Sequence, residues 1–276
     1  MIADYPNPYE PLLCEVEKVT DETPTIKTFV LKMDKPFTFR AGQFVQLTLP
    51  GVGEAPFTPS SSPLESDRLE ITLIRTGSVT DRLHEEVQPG SVLGVRGPFG
   101  KGYPFEKYKG REILVVGGGC GLAPLRSLIY MLMHHASDYK RISIKYGARS
   151  PEELVYRASY DAWRRSAPNV DLEVTIDAPA PGWTGRVGLV TTLLEHLDLA
   201  IPNSIVFSCG PEIMLKFVTY TLLDLGFKPE QIYLSMNRRM SCGIGKCGRC
   251  NVGPYYLCKD GPDINYALIQ HYEDVF

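Results

Sequence analysis

Arg111-Glu-Ile-Leu-Val-Val-Gly117-Gly-Gly119-Cys-Gly121-Leu-Ala-Pro124 decides the fold of this chain. Four apolar residues, Ile113 to Val116, stop at three glycines, and Leu122–His135 then carries helical periodicity. A short apolar strand, a tight glycine turn and a helix form the first half of a βαβ unit. The alternation repeats downstream. Arg141–Tyr146, Asp171–Thr175 and Ser204–Ser208 read as buried strands, with helices near Tyr160–Ala167, Leu189–Leu197 and Pro211–Leu225. This predicts a parallel sheet covered on both faces.

Upstream the rhythm is different. Val16–Thr20, Thr25–Lys32, Gln43–Leu49, Leu69–Arg75 and Val92–Arg96 are β-rich and bounded by Pro, Gly or Asp. Short strands at that spacing predict a small antiparallel barrel. Pro104–Gly110 is a polar join, and from Ser235 the pattern gives way to a Gly/Cys-rich tail. The expected organisation is a β-barrel at 1–105, an α/β nucleotide domain at 106–234 and a small C-terminal lobe at 235–276.

Composition narrows the function. A formal net charge of −3 over 276 residues gives no reason to expect nucleic acid, which would call for a basic face. The most apolar helical stretch, Leu122–Met133, contains Arg126 and is too short for a membrane span, and Met1–Pro11 lacks a signal-peptide pattern. A cytoplasmic protein is expected.

Of the seven cysteines, Cys14, Cys120 and Cys209 are scattered, while Cys242, Cys247, Cys250 and Cys258 crowd the tail. A disulfide framework suits small secreted domains, so a metal site is the better expectation. C-x4-C-x2-C followed by a further Cys is the plant-type [2Fe–2S] arrangement. A loop wrapped round such a cluster needs positive φ and amides aimed at sulfur, which the intervening glycines permit. Lys246 and Arg249 can offset the cluster's charge. Structural zinc is the alternative, though it usually draws thiolates from two separated pairs. It would make the chain a non-enzymatic zinc-binding assembly subunit.

Three further stretches bear on nucleotides. Gly119-Cys-Gly121-Leu-Ala-Pro124 stands where a phosphate-binding turn belongs, between strand and helix N-terminus, although a plain tight connection has the same look. Arg149, in Gly147-Ala-Arg149-Ser150, stands in the vicinity where dinucleotide folds usually place an acidic residue at the ribose, and an Arg there could receive a 2′-phosphate. Gly77-Ser78-Val79-Thr80 opens a helix expected at Asp81–Val87, with Arg75 nearby. It is either a pyrophosphate site or an ordinary N-cap.

Ser235-Met-Asn-Arg-Arg-Met-Ser-Cys-Gly-Ile-Gly-Lys-Cys-Gly-Arg-Cys250 and Tyr256-Leu-Cys-Lys-Asp-Gly-Pro262 resemble the cluster segment of a ferredoxin–NADP reductase subfamily. That subfamily includes the gamma subunits of soluble sulfhydrogenases, the electron-transfer subunit of dihydroorotate dehydrogenase and the B subunit of anaerobic sulfite reductase. The likeness extends over essentially the whole chain. It implies that Gly119, Gly121 and Pro124 form the nucleotide loop, and that Cys209, with Gly210 and Pro211, lies at the nicotinamide as a catalytic residue. Cys209 as a small core residue is the alternative. Pro56-Phe57-Thr58-Pro59-Ser60-Ser61 is similar to the flavin motif, with Phe57 on the ring face and Thr58 at the reactive nitrogen. Ala55 departs from the family's Arg, so Arg75 and the Gly77–Thr80 turn become the candidates for the flavin phosphates. Asn237 stands where many relatives carry Glu.

The resemblance implies FAD, NAD(P)H and a [2Fe–2S] cluster on Cys242, Cys247, Cys250 and Cys258. The implied protein is an NAD(P)H-dependent flavin/iron–sulfur oxidoreductase subunit serving partner redox subunits. Those of a cytoplasmic nickel–iron hydrogenase come first, ahead of dihydroorotate dehydrogenase or sulfite reductase.

Overall fold

The computed structural model describes residues 7–273 and 275–276. Its first unit is a six-stranded antiparallel sheet of β1 (Leu12–Thr23), β2 (Ile26–Lys32), β3 (Phe44–Leu49), β4 (Gly53–Phe57), β5 (Arg68–Ile74) and β6 (Val92–Phe99), in the order β4-β3-β6-β1-β2-β5. The alternation in β2 shows why. Phe29 and Leu31 are buried on either side of the less buried Val30, in a core with Val16, Val45, Leu47, Leu69, Ile71, Leu93 and Val95. Each such side chain contributes about 1.5–3 kcal/mol on burial. The helix α1 (Ser78–Glu86) closes one side through Leu83.

The second unit carries β7 (Glu112–Gly118), α2 (Leu122–His134), β8 (Arg141–Ala148), α3 (Tyr160–Arg164), β9 (Val170–Ile176), β10 (Arg186–Val187), β11 (Ser204–Cys209), α4 (Glu212–Asp224) and β12 (Ile232–Ser235). Its strands are parallel, in the order β10-β9-β8-β7-β11-β12. Period-two alternation divides β7 between two cores: Ile113 and Val115 face α2, while Leu114 and Val116 face α4. The segment expected as a helix at Leu189–Leu197 is a 3₁₀ stretch, Val190–Leu194.

The tail adds a hairpin, β13 (Asn251–Val252) with β14 (Tyr255–Tyr256), then α5 (Leu257–Asp260), β15 (Asp263–Asn265) and α6 (Tyr266–Ile269). β15 pairs antiparallel with β12, so the sheet takes its seventh strand from beyond position 235 and is mixed at that edge. The tail is also pinned to the barrel. Gln46 donates to the Met240 carbonyl, the Lys101 amide to the Gly261 carbonyl at 2.8 Å, and Lys101 pairs with Asp260. It is a wedge held by both units.

Candidate functional site

In the parallel sheet β7 is flanked by β8 and β11, and the chain reverses its order there. The crevice outside the carboxyl ends of such strands is where doubly wound sheets bind ligands. Gly118 to Gly121 and Cys209 to Pro211 line it from the sheet. The barrel faces them with the ends of β4 and β5. Between lies a cleft of about 570 Å³ that brings together Phe57, Thr58, Arg75, Thr80, Gly119, Gly121, Pro124, Arg149, Cys209, Gly210 and Pro211. A second hollow of about 390 Å³ shares Gly118, Gly119, Arg149 and Pro211 with it and is walled by Ala148, Asp177, Thr191 and Phe217.

Close approach explains the glycines. A Cβ on Gly121 would strike the carbonyl of Cys209, so only glycine lets the loop after β7 lie against the end of β11. Gly119 takes φ +53, the left-handed region. Burial pushes the Cys209 thiol up to about 12, despite the Ser235 hydroxyl that favours its thiolate. It therefore stays a neutral thiol at the cleft wall, able to pack against a ligand or donate a weak hydrogen bond. Arg149 is exposed, lines both hollows and has no ion-pair or hydrogen-bond partner among the described residues.

Ser60, Gly77, Ser78 and Val79 are absent from the lining. Ser60 is fully buried and braces Thr72, hydroxyl to hydroxyl at 2.9 Å. Thr80 serves its own helix: its hydroxyl accepts from the amides of Thr76 and Gly77, both at 2.9 Å. The ordinary capping role is thus the one seen at that turn. Arg75 pairs with Asp81 at 3.1 Å and with Glu85. Two carboxylates already balance it, which weakens its candidacy as the flavin-phosphate cation.

In the tail, Cys242, Cys250 and Cys258 are buried, and Cys247 is exposed beside exposed Lys246 and Arg249. The Gly245 amide donates to Cys258 Sγ at 3.1 Å and the Lys246 amide to Cys242 Sγ at 3.3 Å. Burial raises the Cys242 thiol, but the converging amides of Cys247, Ile244 and Lys246 outweigh it and bring the group down to about 6. Burial and the nearby Cys250 raise Cys258. Gly243, at φ +77, abuts the Phe99 ring at the end of the barrel; Gly245 and Gly248 are also left-handed. Four thiols with amides aimed at sulfur suit an anionic sulfur-bridged group. No three potential ligands among the described residues lie close enough to hold a single ion.

The stretch that resembles the cluster segment reaches the cleft, and two residues outside any motif support it. Met236, Asn237 and Met240 line the cleft, and Met240 is two residues before Cys242, so the cluster loop starts at the cleft wall. Tyr156, in the left-handed region at φ 60, donates to Thr72 at 2.6 Å and pins the nucleotide unit to β5. Arg126 lies over the Tyr156 ring at 4.3 Å and pairs with Glu70.

Comparison with known proteins gives three family matches. The family described as the oxidoreductase FAD-binding domain matches residues 13–103, and that of the oxidoreductase NAD-binding domain residues 115–219. The iron-sulfur cluster binding domain of dihydroorotate dehydrogenase B matches residues 237–270. The sulfhydrogenase 1 subunit gamma of Pyrococcus furiosus is 38% identical over 273 residues, 94% of this chain and 92% of that one. A probable dihydroorotate dehydrogenase B (NAD(+)) electron transfer subunit of Methanocaldococcus jannaschii is 36% identical, covering 92% of this chain and 89% of its own. Among solved structures, the NADH-dependent reduced ferredoxin-NADP oxidoreductase aligns with TM-score 0.73 and 24% identity over 96% of this chain and 94% of its own. The cytochrome b5 reductase domain of Ulva prolifera nitrate reductase gives 0.70 at 20% identity, covering 84% of this chain and 99% of its own.

Proposed function

The chain belongs to the ferredoxin–NADP reductase family, in the branch of sulfhydrogenase gamma and dihydroorotate dehydrogenase B electron-transfer subunits, and on that premise we propose that it exchanges electrons between NAD(P)H and a partner redox subunit through FAD and a [2Fe–2S] cluster. The observation that carries this is one cleft walled by the flavin motif, the nucleotide loop, Cys209 and the start of the cluster loop. A bound flavin there supplies conversion of a two-electron hydride into single electrons; the protein supplies positioning and electrostatics.

Phe57 and Thr58 are the residues to orient a flavin ring from the barrel side, and Gly119 and Gly121 the ones to admit a pyrophosphate against α2. Cys209 stays a neutral thiol at the nicotinamide position. Arg149, without an ion-pair partner among the described residues, is the cation we assign to a ribose 2′-phosphate, the feature that favours NADPH. Cys242, Cys247, Cys250 and Cys258 are the cluster ligands, and the amides of Gly245 and Lys246 stabilise sulfur charge. Met240, buried at the cleft wall, stands between the cleft and the cluster loop.

The partner we propose is a hydrogenase subunit in the cytoplasm, supported by 38% identity to a sulfhydrogenase gamma subunit. A dihydroorotate dehydrogenase is the second reading, favoured by the match of residues 237–270 to that enzyme's cluster domain. Affinity purification from the native source decides between them. Hydrogenase subunits in the eluate, with NAD(P)-linked hydrogen turnover, are expected; a dihydroorotate-oxidising partner would overturn the choice.

A further inference from the structure

One carboxyl group among the described residues is buried without a partner. Asp263, on β15 opposite Ser235 of β12, is 5% exposed, and neither of its oxygens completes a hydrogen bond of ordinary geometry, although the Ser235 and Tyr103 hydroxyls lie close enough to act on its charge. The hydroxyl of Tyr103, a residue with no exposed surface, is also unsatisfied. Gly42 backs the pair, since a Cβ there would collide with both Asp263 Oδ2 and the Tyr103 ring. Such an arrangement costs free energy when the carboxyl is charged, and a fold keeps few of them.

The groups facing Asp263 are Tyr103 from the segment after the barrel, Ser235 from β12 and the Cys209 thiol from β11. The Ser235 hydroxyl acts on both Cys209 and Asp263. Burial pushes the Asp263 carboxyl up to about 8, only partly opposed by the Ser235 and Tyr103 hydroxyls. Burial also holds Cys209 near about 12 and Tyr103 well above its ordinary value. Within this cluster only Asp263 changes protonation near neutral pH.

Cys209, Ser235 and Pro262 line the cleft, so Asp263 is one hydroxyl away from it. The cleft's own ionisable side chains are Arg75, Arg149, Glu153 and the thiols of Cys120 and Cys209, both held at about 12. The chemistry of the proposed function, on which this inference rests, takes up a proton when the reduced flavin becomes neutral. NAD(P)H, oxidised flavin and one proton give NAD(P)+ and reduced flavin; taking two electrons away singly returns two protons.

We infer that Asp263 stores a proton for the cleft and exchanges it through Ser235. Asp263 gives its proton to Ser235 Oγ as Ser235 releases its own into the cleft, leaving a carboxylate that the reverse transfer reprotonates. Asp263 touches neither donor nor acceptor. It acts by setting the protonation of the hydroxyl that does.

The test uses the flavin- and cluster-loaded protein in three forms: wild type, Asp263→Asn and Ser235→Ala. Infrared difference spectra from about pH 5 to pH 10 should show a protonated-carboxyl band in wild type that disappears around pH 8 and is missing from Asp263→Asn. Stopped-flow bleaching of flavin by NADPH or NADH should show a break near that pH in wild type. Asp263→Asn should lose the break and slow at neutral pH by roughly tenfold to hundredfold. Ser235→Ala should slow similarly while keeping the band, so a poorly folding Asp263→Asn leaves the question decided. An Asp263→Asn protein with full flavin and iron that keeps the wild-type profile overturns this inference alone. So does a carboxyl ionised throughout. A wild-type flavin that neither nucleotide bleaches overturns the proposed function as well.

Discussion

Cys209→Ala removes a neutral thiol from the cleft wall without adding charge or bulk. If the thiol acts mainly in the transition state, flavin reduction should slow by about tenfold, about 1.4 kcal/mol, with little change in nucleotide affinity. Rates equal to wild type in stopped flow would make Cys209 an ordinary core residue. Arg149→Ala should weaken NADPH by roughly tenfold or more and NADH hardly at all, since a charge-assisted hydrogen bond is worth about 1.5–3 kcal/mol. Equal effects in binding titrations would remove the 2′-phosphate role. Asp263 predicts a pH effect on stability too. Its carboxyl is raised in the folded state, so its contribution is complete below about pH 4 and is lost as pH rises to about 8. Denaturant midpoints should fall over that window in wild type and flatten in Asp263→Asn. Sequence pointed to Cys209 through its strand–helix junction. It could not show that Arg75 is balanced by Asp81 and Glu85, because ion pairing is a property of side-chain placement. Asp263 was invisible for the same reason: one acidic letter among tail residues does not announce its burial.

Elements with strong local periodicity were legible, and those made by distant pairing were not. The β7–α2 junction can be read in its glycines and in the helical period that follows. β4 contains Gly53 and Pro56, poor strand formers, and exists because it pairs with β3. β15 is three residues long and is a strand only because β12 offers an open edge. The cluster loop was readable in detail: glycines expected to need positive φ have it at Gly243, Gly245 and Gly248. Gly243→Ala should therefore lose iron and sulfide while retaining flavin, because its Cβ would lie 2.8 Å from the Phe99 ring at a φ that disfavours alanine. Metal analysis giving wild-type iron would contradict the tight packing of that loop. Tyr156→Phe should cost about 1 kcal/mol in denaturant melts by removing the hydroxyl bond to Thr72.

For the molecule as a whole, the wedge is the organising feature. The tail binds the barrel through Gln46 and Lys101 and the sheet through β12, and three of its cysteines share a core with Leu114 and Val116. The fourth, Cys247, reaches the surface between Lys246 and Arg249. In the proposed function this rim is where electrons taken up at the cleft would leave. Reversing Lys246 and Arg249 to Glu should slow docking of an acidic partner chiefly in its association rate, with weaker salt dependence. We propose that nicotinamide and flavin share this cleft and that a one-electron cluster lies behind its Met240 wall. The most direct measurement is anaerobic titration of the purified chain with NADPH and NADH, following flavin absorbance and the cluster's electron paramagnetic resonance together. About two irons and two sulfides per flavin, with flavin bleaching followed by a reduced-cluster signal, are predicted. Cys247→Ala, at the exposed proposed ligand, should bleach without that signal. Stoichiometric zinc without sulfide, or a flavin that bleaches in wild type with no cluster signal, would contradict the account.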